Sequence, residues 1–470
     1  MAFNTPFFLL AFLPFVLAAA WFTRGHSRLL AILFASLFFY AWGEPWFVFV
    51  VIGSAWLDYF LSHRLVAAQT SKQRKIIVGI GVTANLALLL YFKYCAFVLG
   101  SLNGVMERLG MDTMPVWQIL LPLGISFIVF EKITYLVDIA RGISKPAERF
   151  SYYLLYVFFF PKLLAGPIVK YHDFAPQMHD RSIGSEDLAC GISRFCIGLA
   201  KKVFIADSMA QIVDLAFSFP NDRIGTGTAW LAVIAFSIQI YFDFSGYSDM
   251  AIGLARLMGF RLLENFNHPY ISTSFTDFWR RWHISLSTWI KEYLYIPLGG
   301  NRHGTARTYL NLWTCFVLSG LWHGASWTFV LWGCYHGVFL ILDRVIWHKW
   351  EHRLPKLVTV LLTFLFVSFG WAIFRSQGLG QLSTFAMALA GFGSTQAAPI
   401  HMTNDLLFFF TLGLGISFFA TSTPIQPLRD WFNFNRWNFA TRVGASTILF
   451  LLALGTVSIR TFNTFLYFRF

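Results

Sequence analysis

The sequence predicts an all-α, polytopic integral membrane protein with about 10 to 13 transmembrane or re-entrant helices. Hydrophobic residues occupy 57% of its 470 positions and charged residues 13%, against roughly 45–50% and about 25% in soluble globular chains. Its 54 phenylalanines and mean hydropathy of +0.59 point the same way. No soluble core absorbs that much apolar surface. Disorder, coiled coil, collagen and secreted disulfide frameworks are excluded. The 36 basic and 23 acidic residues leave a net charge of +13. The cations fall in short clusters between apolar runs, as cytoplasmic loops of membrane proteins do, so no nucleic acid partner is expected.

Apolar runs of bilayer length lie near residues 6–22, 76–92, 118–139, 228–242, 325–342, 357–374, 405–420 and 441–459. Shorter or interrupted ones lie at 29–42, 45–61, 150–165, 188–205, 246–259, 309–322 and 382–394. No long soluble segment separates them, which predicts one membrane-embedded domain over 1–470. The first run has no basic residue before it, so it is read as a retained span rather than a cleaved signal. Cys95, Cys190, Cys196, Cys315 and Cys334 lie in or beside apolar segments without a CxxC pair and are read as packing residues.

Topology follows from the basic loops. Arg24 and Arg28 form one cluster, and Arg64, Lys72, Arg74 and Lys75 form another. Both are expected in the cytoplasm, separated by a hairpin turning at Gly43-Glu44-Pro45. The cluster from Arg141 to Arg149 lies two spans further on, which leaves the N-terminus in the periplasm. Residues 256–307 hold seven basic residues against three acids and are rich in Trp and Tyr. They are expected as short helices in or dipping into the cytoplasmic interface.

Residues 308–342 contain no Asp, Glu, Lys or Arg. One helix of that length would run roughly 52 Å against a hydrocarbon core of about 30 Å, so it must break. Ser319-Gly320-Leu321-Trp322-His323-Gly324 is the natural place. That puts His323 at a break inside an apolar run, where an ionisable group is costly and functional by default. Imidazole suits proton transfer near neutral pH.

A second candidate is the segment Ser274 to Ser287. Read as one helix, it places Arg280, His283 and Ser287 on one face and lets Asp277 pair with Arg281 at i, i+4. Its arginines either anchor an interfacial helix on lipid headgroups or hold the phosphates of an anionic donor while His283 points inward. Asp243 and Asp249 need partners in their apolar stretch, and structural pairing between helices is the favoured reading. His336 is read as packing. The pair His348 and His352 does not follow the HExxH order, and Gly299-Gly300 is read as a turn. Walker A, GxGxxG and GxSxG motifs do not occur.

The run FDFSGYSDMAIGLARLMGFRLLENFNHPYISTSFTDFWRRWHISLSTW (242–289), with LGGNRHGT (298–305) and GLWHGASWTFVLWG (320–333), resembles the membrane-bound O-acyltransferases. Phe160 to Val169 and the closing Phe465 to Phe470 fit as well. The resemblance is densest over about 120–345 and is nearest to the alginate O-acetyltransferase branch of bacterial exopolysaccharide modification. It implies a single membrane domain around a central tunnel, with the family's invariant histidine at His323 and its second histidine at His283. It implies a thioester donor, acetyl-CoA for acetylation, with no metal. It further implies periplasmic SGNH-hydrolase-like partners and polysaccharide export machinery, in the bacterial inner membrane among its lipids.

The expected activity is therefore transfer of acetyl groups from cytoplasmic acetyl-CoA across the inner membrane for O-acetylation of an exported, alginate-type polysaccharide. Arg280, Arg281 and Arg302 would bind CoA phosphates. His323 would take the proton of the acceptor hydroxyl, with a covalent acetyl-histidine as the alternative. Rival readings are acetylation of another polymer such as cellulose, D-alanyl transfer to teichoic acid, and a flippase or other transporter. The topology has a direct test. In a Cys-free background, a cysteine at Ser71 should react with an impermeant maleimide only after the cytoplasm is opened. Labelling from the periplasm would overturn the map.

Overall fold

The structure, a computed structural model, describes residues 1–117, 119–179, 183–419, 439–459 and 465–466. Of the closing Phe465–Phe470 block, only Phe465 and Leu466 fall among them. The described residues form helices and connecting turns without a strand, so the all-α membrane fold is as expected. In hydrocarbon a spanning segment must satisfy its own backbone polar groups, which leaves helices as the open-chain solution. Among the described residues, six helices are long and apolar enough to cross: Gly25–Gly43, Ser71–Arg108, Thr226–Leu257, Trp327–Arg353, Lys356–Arg375 and Phe439–Ile459. Shorter apolar helices cover Phe8–Phe22, Leu379–Phe392 and Asn404–Phe418.

The chain divides into two compact units, one of residues 1–191 with 251–263 and one of 192–250 with 264–470. In the first, Gly25–Gly43 and Phe47–Ala67 form the expected hairpin across Gly43-Glu44-Pro45. The Ser71–Arg108 helix starts at a capping box: Thr70 Oγ1 accepts from Gln73 N–H and Gln73 Oε1 from Thr70 N–H, each at 3.2 Å. The helix is longer than the apolar run at 76–92 suggested, because nothing between Ser71 and Arg108 breaks it. Only 17% of its apolar window is buried, as a lipid-facing helix requires. The Ile125–Ala140 helix starts later than expected from the run at 118–139. Gly124 there adopts φ +74°, and an added Cβ would stand 2.9 Å from the carbonyl oxygen of Leu163.

This unit buries charge in pairs that the sequence reading did not identify. Lys132 Nζ lies 3.2 Å from Asp58 Oδ2, and Asn85 Nδ2 donates to Asp58 Oδ1 at 2.9 Å. The adjacent Glu131 pairs with Lys162, whose ammonium stands 4.6 Å from the Tyr156 ring centre. An unpaired charge at such depth would cost several kcal/mol, on the order of 3–5 when one partner is removed.

In the second unit the two carboxylates of the 242–250 stretch act structurally, as favoured. Asp243 accepts from Lys202 Nζ and from the Leu466 N–H, both at 2.8 Å. Asp249 accepts from Lys201 Nζ at 2.6 Å and Arg194 Nε at 2.7 Å. The separate runs expected at 228–242 and 246–259 form one helix, Thr226–Leu257. With Asp243 and Asp249 neutralised by neighbours, the polar interruption carries no reason to end a helix. Gly246 instead permits a close crossing, since a Cβ there would meet the Gly198 carbonyl oxygen at 2.8 Å.

The break in the uncharged 308–342 stretch falls where expected. Thr305–His323 and Trp327–Leu342 are separate helices, joined through Gly324, Ala325 and Ser326. Their backbones touch at glycines. A Cβ on Gly320 would stand 2.2 Å from Phe329 O, and one on Gly333 2.4 Å from Phe316 O. Small residues provide this closeness where lipid offers no hydrophobic drive for helices to associate. The short helices Phe275–Arg281 and Ile284–Ile290 occupy the polar 256–307 region, as the composition suggested. Gly320→Ala should lower stability by about 1–3 kcal/mol through overpacking, read as a lower Tm of the purified protein. Gly53→Ala, with no atom within 4 Å of an added Cβ, should leave Tm unchanged.

Candidate active site

His323 is the last residue of its helix and is buried, with 8% of its surface exposed. Its imidazole lies 4.8 Å from the Trp322 ring, 5.1 Å from Trp332 and 5.5 Å from Phe374, centre to centre. Trp322 in turn lies 6.3 Å from the imidazole of His283. Trp332 lies 4.7 Å from that of His336. The three histidines thus stand in one aromatic row, although His323 and His336 come from two different helices and His283 from a connection between two short ones. His336 is buried in it as a packing residue, its Nδ1 accepting from Trp279 Nε1–H at 3.3 Å.

His283 corrects the sequence reading. The segment from Ser274 to Ser287 is not one helix, so Arg280, His283 and Ser287 do not share a helical face. Phe275–Arg281 ends at Trp282, which is extended, and His283 takes the left-handed conformation at φ 45°, ψ 54° before Ile284 starts a new helix. The cause is a neighbouring segment that captures the backbone. Asn267 N–H donates to Arg281 O at 2.9 Å, and Ile284 N–H donates to Asn265 O at 3.0 Å. A continuous helix would have sent the Ile284 N–H to Arg280 O. Among the described residues, His268 and His283 are the two non-glycine positions with positive φ. Such strain persists only where the surroundings impose it, and it clusters at functional sites.

Asn265 is the residue that sequence reasoning missed. Its Oδ1 accepts from Ser285 N–H at 3.1 Å and Ser285 Oγ–H at 2.9 Å, and lies 3.3 Å from His283 Nδ1. It therefore fixes both the start of the second short helix and the imidazole beside it. Its position within 242–289 was visible, but nothing local to Asn265 announced a partner eighteen residues later. Burial pushes the His283 imidazole down to about 3 from 6.5, so the ring is neutral at working pH.

The arginines separate into two kinds. Asp277 and Arg281 pair as the spacing predicted, Oδ1 to Nε at 2.8 Å, and Arg281 also donates to Asn267 O at 3.4 Å. Arg280 at the same helix end is exposed, as is Arg302. Arg302 sits in a turn in which Gly299, Gly300 and Gly304 all have positive φ, consistent with the turn reading of Gly299-Gly300.

Beyond His323 a cavity of about 350 Å³ opens, lined by Ser326, Thr328, Arg375, Ser376 and Gln377. Phe329 and Phe374 form its apolar wall. Phe374 is in ring contact with His323, and a Cβ on Gly324 would strike the Phe329 ring at 2.1 Å. The cavity's hydroxyls, amide and guanidinium thus lie one layer of side chains from the imidazole. Arg375 is held by Asp214, Nη2 to Oδ1 at 2.9 Å, and lies 4.9 Å from the Phe217 ring centre.

The sequence model of the membrane-bound O-acyltransferase family matches residues 148–352, a span that includes His283 and His323. The probable alginate O-acetylase AlgI of Pseudomonas putida is 38% identical, over the full length of both chains. The corresponding protein of Pseudomonas aeruginosa is 42% identical over 86% of this chain and 78% of its own. A peptidoglycan O-acetyltransferase of Helicobacter pylori is 34% identical over 88% of this chain and 85% of its own. With its apolar helices, these matches make the chain a multi-pass membrane acyltransferase. It belongs to the membrane-bound O-acyltransferase family.

The neutral, buried His283 has a consequence for stability. Below pH 6.5 the unfolded chain binds a proton at this residue that the folded protein refuses until about pH 3. The contribution is therefore complete above 6.5 and is lost as pH falls, at about 1.4 kcal/mol per pH unit. His283→Gln should flatten this acid-side decline in Tm, measured on purified protein between pH 7 and pH 5.

Proposed function

We propose that this chain carries acetyl groups from cytoplasmic acetyl-CoA to an acceptor outside the bacterial inner membrane, for O-acetylation of an exported polysaccharide. Relatives named for alginate and for peptidoglycan support a glycan as the final product and an acetyl group as the cargo. Both compact units act as one membrane domain in this reading, with the N-terminus in the periplasm. The observation that carries it is the position of His323, at a helix end and separated by the Phe374 ring from a cavity lined with hydroxyls.

The charge map supplies a direction. The 256–307 region and the basic residues Arg344, Lys349, Arg353 and Lys356 belong in the cytoplasm by the positive-inside bias. The helices Thr305–His323 and Lys356–Arg375 both leave from those loops, so His323 and Arg375 lie toward the periplasm. The donor then approaches from the side of Arg280, Arg281 and Arg302, whose guanidiniums hold its phosphates. The acceptor hydroxyl approaches through the cavity of Ser326, Thr328 and Gln377.

His323 takes the hydroxyl proton as the oxygen attacks the thioester carbonyl. The C–O bond forms, the C–S bond breaks, and the proton passes to the departing thiolate of CoA. The helix C-terminus at His323 favours the imidazolium that exists between these two transfers, because its carbonyl ends carry partial negative charge. His283, fixed by Asn265, holds the donor end of the row. The acceptor is delivered by a periplasmic partner of the SGNH-hydrolase type working with the export machinery, since a polymer strand has no route through a wall of aromatic side chains.

His323→Ala should reduce acetylation of the exported polymer by about 10²–10⁴-fold at unchanged membrane abundance, with His283→Ala severe and His336→Ala mildest. The measurement is acetyl content of the secreted polymer beside the membrane level of each variant. Near-normal acetylation by His323→Ala would remove it as the base. Loss of polymer export altogether would favour a transporter instead.

A further inference from the structure

Trp332 is wholly buried, and its indole N–H has no hydrogen-bond partner among the described residues. Other indoles show how this fold usually treats such a donor. Trp230 Nε1–H donates to Leu389 O at 3.2 Å, Trp347 Nε1–H to Thr273 O at 2.8 Å, and Trp279 Nε1–H to His336 Nδ1 at 3.3 Å. A buried donor left unmet destabilises the folded state, and native proteins keep few of them. Trp371 shares this state, but it packs on Trp332 and Trp282 at 6.1 and 4.8 Å, whereas Trp332 packs on His323.

The Trp332 ring is held on several sides. It stands 5.1 Å from the His323 imidazole and 4.7 Å from that of His336, with Phe374 at 5.4 Å and Trp279 at 5.7 Å, centre to centre. The next residue, Gly333, lies against the backbone of the helix that ends at His323. One tight hairpin therefore carries both side chains. The electrostatics of that helix end are one-sided. Thr305–His323 turns its carbonyl ends toward its last residue, and these carry partial negative charge. They suit an imidazolium and oppose an oxyanion, so an oxyanion formed there needs a donor from another element.

We infer that the Trp332 indole N–H is the oxyanion donor of the acyl transfer, a role that rests on His323 acting as the base. As the acceptor oxygen adds to the thioester carbon, its proton passes to His323 and the carbonyl π pair moves onto the carbonyl oxygen. That oxygen accepts from Trp332 Nε1–H. When the pair returns, the C–S bond breaks, sulfur leaves as thiolate, and the imidazolium proton passes to it. A donor fixed in advance and shielded from water acts without reorganisation and is worth more than in solvent. The same role gives a reason for keeping a buried N–H at a cost to stability.

Inverted membrane vesicles carrying the full-length chain with its export machinery would be given radiolabelled acetyl-CoA. Label entering the polymer is then measured against donor concentration. Two variants are compared, Trp332→Phe and Trp332→3-benzothienylalanine, in which sulfur replaces the N–H in a ring of the same size. The second keeps the packing, so lost activity in it does not come from a cavity. Both should lower kcat by about 10²-fold at unchanged KM for acetyl-CoA and unchanged membrane abundance. Trp230→3-benzothienylalanine, which removes an N–H committed to backbone, should keep wild-type kcat. Wild-type kcat in both Trp332 variants, beside an inactive His323→Ala, would overturn the assignment and make the N–H a packing contact on its neighbouring rings. A raised KM with unchanged kcat would also overturn it, by making Trp332 a binding contact. Near-normal transfer by His323→Ala would instead remove the base on which the inference rests.

Discussion

Backbone contact between the helices Thr305–His323 and Trp327–Leu342 is the constraint on which the site depends. Two helices in hydrocarbon gain nothing from burying leucine against leucine, because lipid tails already solvate such surfaces. They hold together through close packing, and Gly320 and Gly333 permit it by leaving the facing carbonyls of Phe329 and Phe316 room. That closeness obliges the chain to turn within Gly324, Ala325 and Ser326. The turn leaves His323 at a helix end, packed among Trp322, Trp332 and Phe374 and one layer of side chains from a polar cavity.

Once the hairpin is fixed, aromatic rings carry its position to the rest of the second unit. Trp332 bridges His323 and His336, and Trp322 bridges His323 and His283. Rings are stiff, with two side-chain torsions each, so a row of them transmits geometry with little play. It also excludes water, which strengthens every electrostatic interaction inside. The strained backbone at His283 belongs to the same arrangement: Asn265 and Asn267 take the hydrogen bonds that a helix would have used, and His283 is turned into the row at the cost of its backbone conformation.

Buried charge inside the two units is held mostly in pairs. Four buried carboxylates have a cation in contact: Asp58 with Lys132, Glu131 with Lys162, Asp243 with Lys202, and Asp249 with Lys201 and Arg194, while Asp138 meets the imidazole of His172. These pairs fix which helix faces meet, since a mismatched face would leave a charge in hydrocarbon. They contribute specificity of packing, and none of them lies among the groups proposed to move a proton.

Composition together with repeated apolar runs of bilayer length marked the chain as a helical membrane protein, because 57% hydrophobic and 13% charged residues lie well outside the soluble range. An uncharged stretch too long for one crossing determined the break at His323, and the i, i+4 spacing of Asp277 and Arg281 determined their pair. These are local or additive properties, readable along the chain. What the sequence misjudged was the continuity of helices. Thr226–Leu257 runs on through Asp243 because Lys202 neutralises it, and the segment at 274–287 breaks because Asn265 and Asn267 draw its backbone away. The role of Asn265, the aromatic row and the cavity beyond His323 likewise required the tertiary structure. A hydrogen bond or ring contact between residues distant in sequence has no local signature, and only the folded chain decides which of many possible partners is in reach.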